Sequence, residues 1–220
     1  MYKIKYFIRR HETLMCMLSC IYNIPFFIDN FFSAGFFSIN GAFVKHTKCA
    51  VKGKNNKIVI AKGSRLYNCK FTILGDSNSI CIGPDCELKN LDIWCAGGAT
   101  VILKGKVHVT GATHCAATEG KSIQIGEDCL FSNNIVIRNG DSHSVLSLDG
   151  KRLNPAQNVV IGKHVWIGQN VTILKGTVIG DNSIVGTGAI ITGRAFPANV
   201  VIAGTPAKIV KENVNWDSKV

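Results

Sequence analysis

From position 161 the apolar positions of this chain recur in sixes. Ile161, Ile167, Ile173, Ile179, Val185 and Ile191 fall at every sixth place, followed by Gly162, Gly168, Leu174, Gly180, Gly186 and Thr192. Four places after each aliphatic residue stands a small or β-branched one: Val165, Val171, Thr177, Ser183, Ala189 and Ala195. A period of six fits neither an amphipathic helix nor an alternating strand. It fits a triangular coil in which each hexapeptide makes one short strand and one corner, three of them completing a turn. Residues 18 apart then stack, Ile161 over Ile179 and Val165 over Ser183, so the aliphatic column fills the interior and small residues fit where the walls converge. Glycine accepts the backbone of the corners. Such a coil buries its core only against its neighbours, so several are required.

The pattern continues upstream with lower fidelity. Ile125-Gly126, Phe131-Ser132 and Ile137-Arg138 keep it, with Cys129 and Ile135 at the fifth place, while Ile60-Ala61 and Ile82-Gly83 read as earlier corners. The run from Ile102 to Val109 is strand-like but out of phase. The pattern predicts an all-β solenoid over residues 46–204, a separate apolar and basic segment over 1–45, and a C-terminal tail over 205–220. A loop at 143–158, with the turn chemistry Asp149-Gly150 and Asn154-Pro155, must project from the coil.

Charge narrows the partners. Of the net +11, residues 1–60 hold nine Lys/Arg against two Asp/Glu. That excess favours acidic partners such as phosphates, anionic headgroups or a polyanionic glycan. No nucleic-acid-reading module is present, so no nucleic-acid partner is expected. Nine cysteines without a CxxC pair or zinc-like spacing read as buried, reduced thiols of a cytosolic protein, several at small wall positions such as Cys81, Cys86 and Cys129. Lys3, Lys5, Arg9 and Arg10 precede an uncharged run from Thr13 to Ile28 that Asn23 and Pro25 interrupt and that is short for a membrane span. Two readings of this segment stay open: a hydrophobic cap on the solenoid end, or a helix lying on the inner face of the cell membrane.

The segments Ile161-Gly-Lys-His-Val-Trp-Ile-Gly-Gln-Asn-Val-Thr-Ile, Ile179-Gly-Asp-Asn-Ser-Ile-Val-Gly and Val201-Ile-Ala-Gly-Thr-Pro-Ala-Lys-Ile-Val resemble the hexapeptide-repeat acyltransferases. The branch is that of galactoside, maltose and capsular-polysaccharide O-acetyltransferases. The resemblance covers about residues 55–212. It implies a left-handed parallel β-helix, a homotrimer with sites between neighbouring subunits, and direct acetyl transfer from acetyl-CoA to a sugar hydroxyl of a bacterial surface glycan. The basic surface suits an acidic acceptor; a small sugar or a xenobiotic is the alternative.

By the same resemblance, His143 in Asn139-Gly-Asp-Ser-His-Ser is the general base, with Asp141 or a backbone carbonyl orienting its ring. Imidazole suits the task, since the acceptor hydroxyl must lose a proton as it attacks the thioester. Trp166 walls the acetyl or acceptor site, and the Gln169 N–H donates to the developing oxyanion. His114 and Glu119 occupy the acceptor-binding region. Gly168, Thr187, Thr192, Arg194, Lys208 and Lys211 match coenzyme A contacts, although Gly193-Arg194 replaces the family's lysine with an apparent one-residue insertion. Two other classes compete with this reading. A γ-carbonic-anhydrase-like zinc hydratase would need three imidazoles from His108, His114, His143 and His164, which lack that branch's close histidine pair, so no metal is expected. A non-catalytic scaffold would have no use for His143, Trp166 and the C-terminal lysines.

Overall fold

The stacked aliphatic columns close into a left-handed parallel β-helix of about seven turns with one short helix at its N-terminal end. The computed structural model describes residues 12–24, 26, 36–39 and 41–219. Three sheets make the walls of a triangular prism. Sheet I has eight strands, from β1 (Phe36–Ile39) to β22 (Ala195–Phe196). Sheet II has nine, from β2 (Phe43–Lys45) to β24 (Ala207–Glu212), and sheet III has seven, from β3 (Lys48–Lys52) to β21 (Ile190–Ile191).

Two coil lengths coexist. Downstream the step is 18 residues, Val160 lying on Val178, Trp166 on Ile184 and Thr172 on Ile190. Upstream it is 21 or 22: Ile58 lies on Ile80, Ile80 on Val101 and Val101 on Ile123. The longer coils explain why residues 102–109 fall out of the six-residue phase. In that run Val101 and Leu103 point inward and Ile102 outward. In coils of both lengths the sheet II–III corner is turned by a left-handed residue: His46, Asn68, Asn90, Asn134 and Asn170, with φ of 51, 54, 54, 56 and 58°. Asparagine tolerates that conformation better than most residues. Its amides also bridge coils, Asn68 Nδ2 donating to Asn90 Oδ1 at 2.6 Å and Asn134 Nδ2 to Asn170 Oδ1 at 2.8 Å.

Four expectations are corrected. The β-helix starts at Phe36 rather than 46, because β1 and β2 already pair with β4 (Lys57–Ile60) and β5 (Arg65–Tyr67). Residues 205–220 are more than a tail: β24 folds back antiparallel on β23 (Val200–Gly204), and Trp216 then packs on His164. Ala195 does not take an inward fifth place; the last coil is one residue short, so Ala195 is exposed and Phe196 enters the core. Cys86 and Cys129 are buried wall residues as expected, but Cys81 faces outward. All nine cysteines are thiols rather than disulfides, and desolvation pushes those of Cys49, Cys95, Cys115 and Cys129 up to about 12.

Helix α1 (Glu12–Tyr22) closes the N-terminal end. Met15, Ser19, Asn23 and Phe26 turn inward. Asn23 acts as a plug for the first coil: its Nδ2 donates to the Ala42 carbonyl and its Oδ1 accepts from the Val44 N–H, both at 2.8 Å. Thus Asn23 satisfies backbone groups of the first coil that an open end would leave unpaired. Its other face is exposed and apolar, with Met17, Ile21, Tyr22 and Ile24 turned to solvent. Lys3, Lys5, Arg9 and Arg10 lie outside the described residues. No helix among the described residues is long and apolar enough to cross a membrane.

Candidate active site

The projecting loop leaves the prism at the corner between sheets III and I, after β15 (Ile135–Arg138), and returns at β16 (Val159–Ile161). It is a small hairpin. Leu146 bridges Arg152 antiparallel, the Leu153 N–H donates to the Val145 carbonyl at 2.8 Å, and Ser147 bonds Asp149 and the Lys151 carbonyl at the tip.

One buried side chain ties its two stems together. Asn154 Nδ2 donates to the His143 carbonyl and to Asp141 Oδ2, both at 2.8 Å, and its Oδ1 accepts the Val145 N–H at 2.7 Å. Lys175 reaches up from the next coil to the Asp141 carboxylate and, at 3.3 Å, to the Asn154 carbonyl. The Lys175 ammonium, followed by the Asn154 amide, holds the Asp141 carboxyl below its usual range. The His143 N–H in turn donates to the Asp141 carbonyl at 2.8 Å. The backbone of His143 is therefore clamped on both sides. Its ring is exposed and makes no hydrogen bond among the described residues. Of the two groups expected to orient the ring, neither bonds it here: the Asp141 carbonyl accepts the His143 main-chain N–H, and the Asp141 carboxylate meets Lys175 and Asn154 through Oδ2.

Glu119, expected in the acceptor-binding region, is paired within its own chain. It stands at the same corner in the left-handed region, at φ 58°. Both its oxygens are taken by Arg152, at 2.9 and 2.6 Å, and the Ala156 N–H reaches Oε2 at 3.3 Å. The bidentate Arg152 holds the Glu119 carboxyl below its usual range, so the pair fixes the returning stem of the loop. His114 sits mid-wall on sheet III, half-exposed, with Nδ1 3.2 Å from Asp92 Oδ2. Sequence reasoning missed Asn154, Arg152 and Lys175. The repeat itself could have found Lys175: Gln157, Lys175 and Gly193 are spaced by 18 and share the corner, as the contacts of Gly176 and Gly193 show.

The other predicted residues fall into two groups. Thr192 and Arg194 lie at the III–I corner above the loop, both exposed. Trp166, Gly168, Gln169, Thr187, Lys208 and Lys211 line sheet II and its corner with sheet III. In a triangular prism the III–I vertex is opposite wall II. One chain therefore cannot bring His143 and Trp166 together.

On wall II the Gln169 N–H finds no acceptor among the described residues, while its carbonyl accepts from the Gly188 N–H at 2.8 Å. Gly168 permits the close approach of the next coil, since an added Cβ would stand 2.8 Å from the Thr187 nitrogen. Trp166 is 41% exposed and 6.1 Å from Trp216. Trp216 stacks flat on His164 at 4.2 Å and donates its Nε1–H to the His164 carbonyl at 2.8 Å. The His164 ring nitrogens face Asp128 Oδ2 at 2.8 Å and the Trp216 carbonyl at 3.0 Å. Burial works against the charged imidazole, but the Trp216 carbonyl and Asp128 outweigh it and raise its pKa. Among the described residues no group of three metal-ligating side chains converges.

Residues 158–193 match the bacterial transferase hexapeptide family (six repeats). A polysialic acid O-acetyltransferase of Neisseria meningitidis is 36% identical over 176 residues, 79% of this chain and 80% of that protein. The crystal structure of the polySia-specific acetyltransferase NeuO is similar with a TM-score of 0.77 and 30% identity, over 86% of this chain and 88% of that one. That of the polysialic acid O-acetyltransferase OatWY gives 0.62 and 32%, over 79% and 92%.

Proposed function

The chain belongs to the hexapeptide-repeat O-acetyltransferases, and from that premise we propose that it acetylates a hydroxyl of an acidic capsular polysaccharide, using acetyl-CoA and His143 as general base. The observation that carries this reading is the free, exposed imidazole of His143 on a backbone clamped by Asn154 and Asp141. Such a group can take a proton from an acceptor without first breaking a bond of its own. The relatives' substrate, polysialic acid, and the basic N-terminal half of this chain both support an acidic acceptor.

The site is completed between copies in a homotrimer. Vertex III–I of one subunit, bearing His143, meets wall II of the next, bearing Trp166 and Gln169. His143 removes the hydroxyl proton as the acceptor oxygen attacks the thioester carbonyl. The neighbour's Gln169 N–H receives the oxyanion, a donor worth about 3 kcal/mol in comparable sites. The C–S bond then breaks and the imidazolium returns its proton to the departing thiolate, leaving the acetyl ester and free CoA. Trp166 shields the acetyl group, while exposed Lys208, Lys211 and Arg194 suit the phosphates of the co-substrate. The reaction takes place in the cytosol, at the inner face of the cell membrane where the apolar face of α1 rests.

The test is CoA thiol release with polysialic acid as acceptor, wild type against His143→Ala. Release should fall about 10²–10⁴-fold in the variant while CoA binding and the unfolding midpoint stay put. Release that survives the substitution removes His143 as the base.

A further inference from the structure

Away from the loop corner, the outward face of sheet III carries a basic strip that leads to it. Lys48, Lys70, Asp92 and His114 stand in register on four successive strands. The neighbouring column runs Ala50, Thr72, Trp94, Ala116 and Arg138. Lys52 extends the strip at its far end, and Lys45 and Lys89 border it at the II–III corner. The strip's two carboxylates already have partners, Asp92 the His114 ring at 3.2 Å and Glu87 the Lys89 ammonium at 3.7 Å.

Two features are hard to explain by folding alone. Lys48 and Lys70 are direct neighbours on adjacent strands and both exposed, an arrangement of like charges that disfavours the sheet. An anion held between them reverses that cost. Trp94 places an indole on the same outward face between the small residues Thr72 and Ala116. Ala116 also points outward yet is only 6% exposed, and long side chains closing over it from Trp94 and Arg138 account for that burial. Beyond it, the Arg138 guanidinium donates to Ser142 Oγ, next to the catalytic histidine. From the strand of Lys48 to that of Arg138 is four steps of about 4.8 Å, about 19 Å in all.

We propose that this face is a binding track for the units of an acidic polysaccharide that flank the hydroxyl being acetylated. The reading rests on the acceptor class proposed above. Lys48 and Lys70 hold one carboxylate between them, Arg138 takes another three strands away, and Trp94 stacks against the apolar face of a sugar ring between the two. The track makes the enzyme prefer chains over short oligomers, because only a chain reaches the lysines while a hydroxyl lies at His143.

The experiment compares long polysialic acid with a sialic acid trimer as acceptors for wild type, the Lys48→Glu/Lys70→Glu double variant, Trp94→Ala and Trp94→Phe. For long chains KM should rise about tenfold in the double variant and in Trp94→Ala with kcat unchanged, and Trp94→Phe should recover most of the loss. Turnover of the trimer should be the same in all four. The long-chain KM of wild type should climb steeply with salt and that of the double variant should not. Equal long-chain KM in wild type and variants overturns the track while leaving the proposed reaction standing. Binding of a fluorescent polysialic acid chain to His143→Ala protein supplies a readout independent of turnover. Retention that survives the lysine substitutions overturns the track, and no retention by any form, together with no turnover by wild type, overturns the acceptor class itself.

Discussion

Replacing Asn154 with alanine should unlatch the catalytic loop while leaving the β-helix intact. The side chain is 8% exposed and makes three hydrogen bonds: one to the His143 carbonyl, one from the Val145 N–H, and one to the Asp141 carboxylate. Two neutral bonds contribute about 1 kcal/mol each and the charge-assisted one about 1.5, which partial solvent access reduces to roughly 3 kcal/mol together. At 1.4 kcal/mol per decade the closed-to-open ratio of the loop falls about 10²-fold. Hydrogen exchange reads this directly, because exchange of a loop amide tracks its local opening. The reporters are the His143 and Leu153 N–H groups, whose acceptors, the Asp141 and Val145 carbonyls, survive the substitution. Both should exchange about 10²-fold faster. Ile137, in the wall beneath, should exchange as before. Activity should fall through kcat as His143 spends less time in place. Unchanged exchange at both reporters refutes the latch, and a uniform rise along all coils would show instead that Asn154 supports the fold as a whole.

Three further outcomes follow from the same geometry. Asp141 and Glu119 both have depressed pKa values, held down by Lys175 and Arg152; their contribution is present above the unfolded carboxyl values of about 4 and disappears as pH falls through the folded ones. Limited proteolysis at the loop should therefore appear on acidification below about pH 4 before circular dichroism reports loss of the β-helix, and cleavage that waits for global unfolding would contradict it. His164 has the opposite sign: its raised pKa stabilises the docked Trp216 below the unfolded value of about 6.5, a contribution lost as pH rises through the folded value. Tryptophan fluorescence should shift in that alkaline direction, and Asp128→Asn should move the midpoint down; a pH-independent signal would show that stacking alone holds Trp216. At the other end, Ile21→Glu on the exposed face of α1 should reduce co-sedimentation with anionic lipid vesicles without changing the unfolding midpoint, and equal sedimentation of both proteins would remove the membrane role. That substitution is a sharper probe than deleting residues 1–45, which would also remove β1, β2 and the Asn23 plug.

The part of the fold that could be read from sequence is the part whose coils are built from hexapeptides. Between Ile161 and Ile191 every sixth-place aliphatic residue is buried, because three equal segments per coil leave a fixed phase. Upstream the same walls exist, with Ile58, Ile80, Val101 and Ile123 in one column, but strands of five or six residues on sheet III, against two downstream, stretch the coil to 21 or 22. A search in steps of six slides out of register there within one turn. His143, Trp166 and Gln169 were visible because they sit at fixed places in motifs. The latch was not. Asn154 read as turn chemistry beside Pro155, and only its burial against a loop stem nine residues away turns it into a tie. Glu119 carried a site-like motif, yet the partner that determines its role, Arg152, is 33 residues on and in a segment without period.

The division of the site between a vertex and the opposite wall has a consequence for assembly. A contact of vertex III–I with wall II joins two different surfaces, so it is heterologous, and the pair still offers one unused vertex and one unused wall. Such contacts extend indefinitely unless the rotation between neighbours closes. A triangular prism favours closure at three, because the outward directions of its walls differ by about 120°, the angle by which each copy in a three-fold ring must turn. All three prism axes then run parallel, and the N-terminal ends share one face of the ring. Three α1 helices would present their apolar faces side by side, so a weak attachment by one helix becomes a strong one by three through effective concentration. In the proposed ring the centre of sheet III, with Lys48, Lys70, Trp94 and Arg138, would stay clear of the vertex-to-wall contact, so an acidic chain could lie along it and end at His143.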